Sequence, residues 1–100
     1  MLRSFKHMSE EKKVYRRLMA RAAMLPKDYQ MAFRKIQGYL LQFAVLDDDE
    51  MIKVQRDILK EFEAGVGLGK TPMDITGWDI MIYTNTHLRQ VRADDMGKAA

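Results

Sequence analysis

From Pro26 to Val45, apolar residues recur every three or four positions: Tyr29, Ala32, Phe33, Ile36, Tyr39, Leu40 and Phe43. That spacing lays one stripe along a helix. Three more segments share the period. The first runs from Ser4 or Ser9 to Met24, with Met8, Tyr15, Leu18, Met19 and Ala22 as its stripe. Ser9 ahead of Glu10 and Glu11 reads as its start, a hydroxyl for a free amide and carboxylates at the positive dipole end. The third runs from Asp47 to Ala64, with Met51, Ile52, Gln55, Ile58, Leu59 and Phe62 facing inward. The last reaches Ala93, with Ile80, Met81, Thr84, Leu88 and Val91 inward. No segment sustains a two-residue alternation, so strands are not expected.

Breakers and caps fall between these stripes. Pro26 ends the first helix and suits the first turn of the second, where its missing amide is no loss. Asp47 with Glu50 three residues on forms a capping-box variant. Asp49 and Lys53 are a four-residue ion pair on the same helix. Gly65, Gly67 and Gly69 end that helix. Thr71-Pro72 starts one short turn to Ile75, and Thr76 with Asp79 caps the last helix. Gly38 sits inside the second helix at a cost of about 1 kcal/mol relative to alanine, which a close helix crossing would explain. Short connections make successive helices antiparallel neighbours. The expected fold is all-α: a compact bundle of four main helices with a short extra helical turn before the last. Residues 1–100 form a single helical domain, ordered over about 9–93, with 94–100 a flexible tail.

Composition narrows the function. The chain has 100 residues, 47% hydrophobic and 31% charged, which excludes a disordered chain. It has no cysteine, hence no disulfide, no thiolate metal site and no cysteine nucleophile. No apolar run spans a bilayer and no secretory signal is visible, so a cytoplasmic protein is expected. Net charge is +3 but divided: residues 1–46 carry +7 and residues 47–100 carry −4. The basic half lies open to phosphate or an acidic partner, or pairs with the acidic half. Lys12, Lys13, Arg16, Arg17 and Arg21 fall mostly on one side of the first helix and are the candidate contacts to phosphate or an acidic partner.

Several constellations have a structural role beside a chemical one. Residues 64–71, ending Gly69-Lys70-Thr71, satisfy a permissive phosphate-loop pattern. The pattern needs a preceding strand and a following long helix, whereas a helix precedes here and Pro72 deletes an amide. A helix C-cap is the expected role. Asp47, Asp48, Asp49 and Glu50 lack the alternation and glycine of a calcium loop. His7 with Glu11, and Tyr83 with His87, stand one helical turn apart without further ligands. Ser4 and Ser9 are the only serines, so no serine triad is expected. Met19, Met31, Met51 and Met81 read as core filler. Trp78, the only tryptophan, is placed in the first turn of the last helix. There it is either a staple for residues 65–77 or a candidate interface anchor, the staple being favoured. No catalytic residue, cofactor or metal is expected, and the chain is not expected to be an enzyme.

Leu25-Pro26-Lys27-Asp28-Tyr29-Gln30, then Ile36-Gln37-Gly38-Tyr39-Leu40, then Phe62-Glu63-Ala64-Gly65, Gly69-Lys70 and Thr76-Gly77 follow in that order. Together they resemble a bacterial family of small helical proteins, domain of unknown function 1048, over roughly residues 9–92. The resemblance implies a compact all-α bundle and makes the glycine–lysine loop a structural feature. Such proteins have no assigned activity and are often encoded beside PadR-like transcription regulators, so the resemblance implies an accessory or sensing role. Trp78 departs from the family, which tends to have an acidic residue there, and the end after Val91 is short. The expected function is a non-enzymatic interaction or regulatory module that pairs with itself or another helical protein, such as a PadR-like regulator. The alternative is a nucleic-acid binder using the basic face of the first helix. No membrane partner is expected.

Overall fold

The computed structural model describes the backbone of residues 2–44 and 46–99, and the side chains of residues 10, 12–44 and 46–94. Five helices follow one another: α1 (Leu2–Ala23), α2 (Lys27–Phe43), α3 (Asp48–Gly67), α4 (Pro72–Thr76) and α5 (Ile80–Ala99). No strand occurs among the described residues. The bundle of four main helices and one short turn is therefore as expected. α2 and α3 form the central pair, and both α1 and α5 pack against each of them.

The helix ends differ from expectation where the sequence offers no break. Neither Gly nor Pro lies between residues 2 and 23, so α1 starts at Leu2 and Ser9 is inside it rather than at its start. Likewise α5 continues past Ala93 to Ala99. The backbone of residues 94–99, expected as a flexible tail, is helical; Gly97 alone there costs only about 1 kcal/mol. α3 begins as the sequence dictates. Asp47 Oδ1 accepts from the Glu50 amide at 2.7 Å and Glu50 Oε1 accepts from the Asp47 amide at 3.3 Å. The Asp49–Lys53 pair forms at 3.2 Å. α4 has the same device: Thr71 Oγ1 accepts from the Asp74 amide and Asp74 Oδ2 from the Thr71 amide. α5 is capped by Asp79 alone, whose Oδ1 accepts from the Met81 and Ile82 amides at 2.9 and 3.2 Å. Thr76 does not cap it, because Thr76 closes α4 and Gly77 then turns the chain at φ +72°.

The core centres on Phe62. Its ring meets Tyr29 edge-on at 5.4 Å, Phe33 edge-on at 6.2 Å, and stacks on Tyr83 at 6.4 Å. Ile36, Leu40, Ile58, Leu59, Leu88 and Val91 complete it. Gln55 is buried as expected, because its polar groups are satisfied: Oε1 accepts from Gln37 at 2.9 Å and Nε2 donates to the Met51 carbonyl at 3.1 Å. Val54, absent from the expected stripe, is buried, while Met51 and Ile52 are only partly so. Position 54 extends the 58, 62, 65 ridge back by one turn.

Three expected core residues face out. Phe43 is 67% exposed because it sits in the last turn of α2, where it packs on Tyr39 instead. Tyr15, 42% exposed, lies beside the α1 contact that Leu18 and Ala22 make. Met81 is one position off the inward 80, 84, 88, 91 line, in which Ile80 is partly and the others fully buried, and so rotates outward. Met31 is also exposed rather than core filler, on the outer side of α2. Met8 lies outside the described side chains.

Gly38 has open space where a Cβ would stand, so no close crossing explains it. Gly38→Ala is expected to stabilise the protein by about 0.5–1 kcal/mol through helix propensity alone. Urea unfolding checks this, and a lower midpoint would mean that position 38 is crowded.

Candidate functional site

Lys12, Lys13, Arg16 and Arg17 are exposed on α1, and none has an ion-pair partner among the described residues. Arg21 is not free. Its Nη2 and Nε meet the Glu63 carboxylate on α3 at 2.6 and 3.3 Å. That carboxylate raises the guanidinium's pKa, first through the hydrogen bond. One of the five candidate phosphate contacts thus serves the α1–α3 junction. The basic and acidic halves meet in the Arg21–Glu63 pair across that junction, while Arg92 on α5 meets Glu50 on α3 at 3.3 Å within the acidic half.

The glycine–lysine segment is a helix C-cap. Lys70 N donates to the Gly65 carbonyl at 2.9 Å and Gly69 N to the Val66 carbonyl at 3.1 Å, with Gly69 at φ +72°. This pair of bonds is a Schellman motif. Leu68 N is taken by the Ala64 and Gly65 carbonyls, Thr71 N by Asp74, and Pro72 has no amide. Every amide that a phosphate would need is already donated. The Lys70 carbonyl accepts from Tyr29 Oη at 2.5 Å, tying the turn to α2.

Trp78 is 91% exposed and lies in the bend before α5, not in its first turn. It touches too little to staple residues 65–77, so that role is excluded. Ile82 is 66% and Met81 51% exposed, in the first turn of α5 and within four residues of Trp78. Met73 on α4 is exposed as well. Gly77, at positive φ, and the Asp79 cap set the course of the chain around Trp78.

A third cluster had only half a sequence signal. Tyr83 and His87 share a helix face, with rings 4.8 Å apart and edge-on. Glu61 on α3 joins them: its Oε2 accepts from Tyr83 Oη and lies 2.9 Å from His87 Nε2. Glu61 comes from another helix, so spacing along α5 never reveals it. Burial first, and then the Glu61 carboxylate, push the Tyr83 phenol far above its ordinary range. A neutral phenol and a shared carboxylate make this a clasp between α3 and α5. The His7–Glu11 pair lies outside the described side chains. Asp47 and Glu50 are committed to the α3 cap. Among the described residues, no three His, Asp or Glu gather as metal ligands and no helix is long and apolar enough to cross a membrane.

The comparisons with known proteins agree with this architecture. Residues 6–96 match the family described as protein of unknown function (DUF1048). The chain belongs to that family. A DUF1048 protein from Bacillus cereus ATCC 10987, with a left-handed superhelix fold, is similar at 36% identity and a TM-score of 0.72. The similarity covers 76% of this chain and 94% of that one. Comparison with curated proteins gives no match. Three of the segments that carry the DUF1048 resemblance have visible structural work here. Tyr29 of the Leu-Pro-Lys-Asp-Tyr-Gln block bonds Lys70 of the Gly-Lys block, and Gly65 leaves room for both α4 and the Tyr29 hydroxyl.

Proposed function

We propose that this DUF1048 member is a cytoplasmic, non-enzymatic interaction module that docks a helical protein through the face of Trp78, Met81 and Ile82. Its partner is a second copy of the chain or another helical protein, such as a PadR-like regulator. The exposure of the single tryptophan carries this reading. An indole left in water forgoes the roughly 1.5–3 kcal/mol that burial of a large apolar side chain yields, and tryptophan is the residue most enriched at interface hot spots. Met81 and Ile82, exposed apolar side chains within four residues of Trp78, add apolar surface beyond a single scattered residue. The test is affinity capture from cytosolic extract with the wild-type chain and with Trp78→Ala. Trp78→Ala is expected to change stability by less than about 0.5 kcal/mol. A helical protein retained by the wild type and lost by the variant supports the reading. Equal retention by both overturns it.

The basic face supports the second reading, nucleic-acid binding. Four exposed cations, without an ion-pair partner among the described residues, predict a log–log salt slope of about −3.6 for duplex DNA. Replacing Arg16 and Arg17 by glutamate is expected to leave the helical circular dichroism unchanged, because both point to water. Loss of that signal would contradict their placement. DNA affinity that is steeply salt-dependent in the wild type and absent in the variant would favour this second reading.

A further inference from the structure

The groove where α1 meets α3 brings partly exposed apolar side chains and three arginines together at the edge of the core. Val14, Leu18 and Ile52 are its apolar side, and Arg17, Arg21 and Arg56 its polar side, around about 260 Å³. Arg21 is held in place by Glu63 on α3. Arg17 and Arg56 are exposed and, among the described residues, have no ion-pair partner. Two uncompensated guanidiniums, from different helices, therefore share one apolar-sided cleft with a third that is fixed.

We propose that this groove binds a small carboxylate carrying an apolar body. The planar guanidinium fork matches a carboxylate with two parallel hydrogen bonds. Val14 and Ile52, both partly exposed above the buried Leu18, gain only from a ligand with apolar surface to remove from water, which a bare inorganic anion lacks. The volume lies under the roughly 300–1,000 Å³ of drug-sized pockets, so the ligand is the size of a fragment. Backbone phosphates of nucleic acid follow the outer cations of α1 and bring no apolar group to this cleft. The inference is independent of the Trp78 face, because α5 and α4 contribute nothing to the groove.

The test is a titration of the full chain, followed by backbone amide NMR, with 3-phenylpropionate, 3-phenylpropionamide and inorganic phosphate. The carboxylate is expected to give saturable shifts at Val14, Leu18 and Ile52, and the other two probes none at equal concentration. Arg56→Gln and Arg17→Gln should each weaken the carboxylate by about tenfold or more, as for a lost hydrogen bond between charged groups. Lys35→Gln, which removes an exposed cation from α2, should leave it unchanged. The same spectra show whether each variant is folded, and both arginines are exposed. Equal shifts from phosphate would reduce the site to unselective charge, and equal shifts from the amide would make the arginines irrelevant. Either result overturns the proposal, as does the absence of saturable shifts or unchanged affinity in both arginine variants.

Discussion

Replacing Phe62 with alanine is expected to destabilise the fold by about 3–5 kcal/mol. Phe62 is fully buried. Its ring contacts aromatic residues from two other helices: Tyr29 and Phe33 of α2, and Tyr83 of α5. Those neighbours are themselves constrained, Tyr29 by its bond to the Lys70 carbonyl and Tyr83 by Glu61. They are therefore poorly placed to collapse into the vacated volume, which puts the cost toward the upper part of that range. A domain of this size has a net stability of only about 5–15 kcal/mol. Urea unfolding monitored by circular dichroism should show a large drop in midpoint. A midpoint within experimental error of the wild type would mean that Phe62 is not the centre of the core.

Gly65→Ala and Gly38→Ala are expected to separate by about 1–3 kcal/mol, with Gly65→Ala the less stable. Both add the same methyl group to a helix interior and gain the same propensity of about 1 kcal/mol. Only at Gly65 does the methyl meet anything. It would overlap Ile75 Cδ1 and stand 2.9 Å from Tyr29 Oη. The tip of Ile75 can swing aside, but the hydroxyl is held by the Lys70 carbonyl at 2.5 Å. α4 must then back away from α3, or the Tyr29 bond must break. Equal midpoints for the two variants would show that α4 does not press on Gly65.

The sequence made the helices legible because their stripes are long and their caps are local. Asp47 and Glu50, or Thr71 and Pro72, announce a helix start with residues only three apart. Boundaries without a breaker were not legible: nothing between Leu2 and Ser9 distinguishes a helix that starts early from one that starts late. The glycine that matters for packing is not legible from the local pattern either. Gly38 interrupts a clear stripe and draws attention, yet the close approach is at Gly65, where the crowding side chains come from residues 29 and 75. The same limit hid Glu61. Its partners Tyr83 and His87 lie 22 and 26 positions away, a separation that no local period encodes. The basic side of α1 was legible as a face, but the commitment of Arg21 to Glu63 depends on how α1 crosses α3. Trp78 was misplaced for a related reason. Capping α5 from Asp79 rather than Thr76 moves the indole out of the helix and away from the core.

The exposed Trp78 face is the centre of the functional account, and the chain contains a single tryptophan. The most direct measurement is therefore the emission spectrum of the dilute, folded protein, with an acrylamide quenching series. The account predicts emission like that of indole in water and quenching close to that of the unfolded chain. A blue-shifted emission protected from quencher in the dilute protein would place Trp78 against its own core and contradict the docking face.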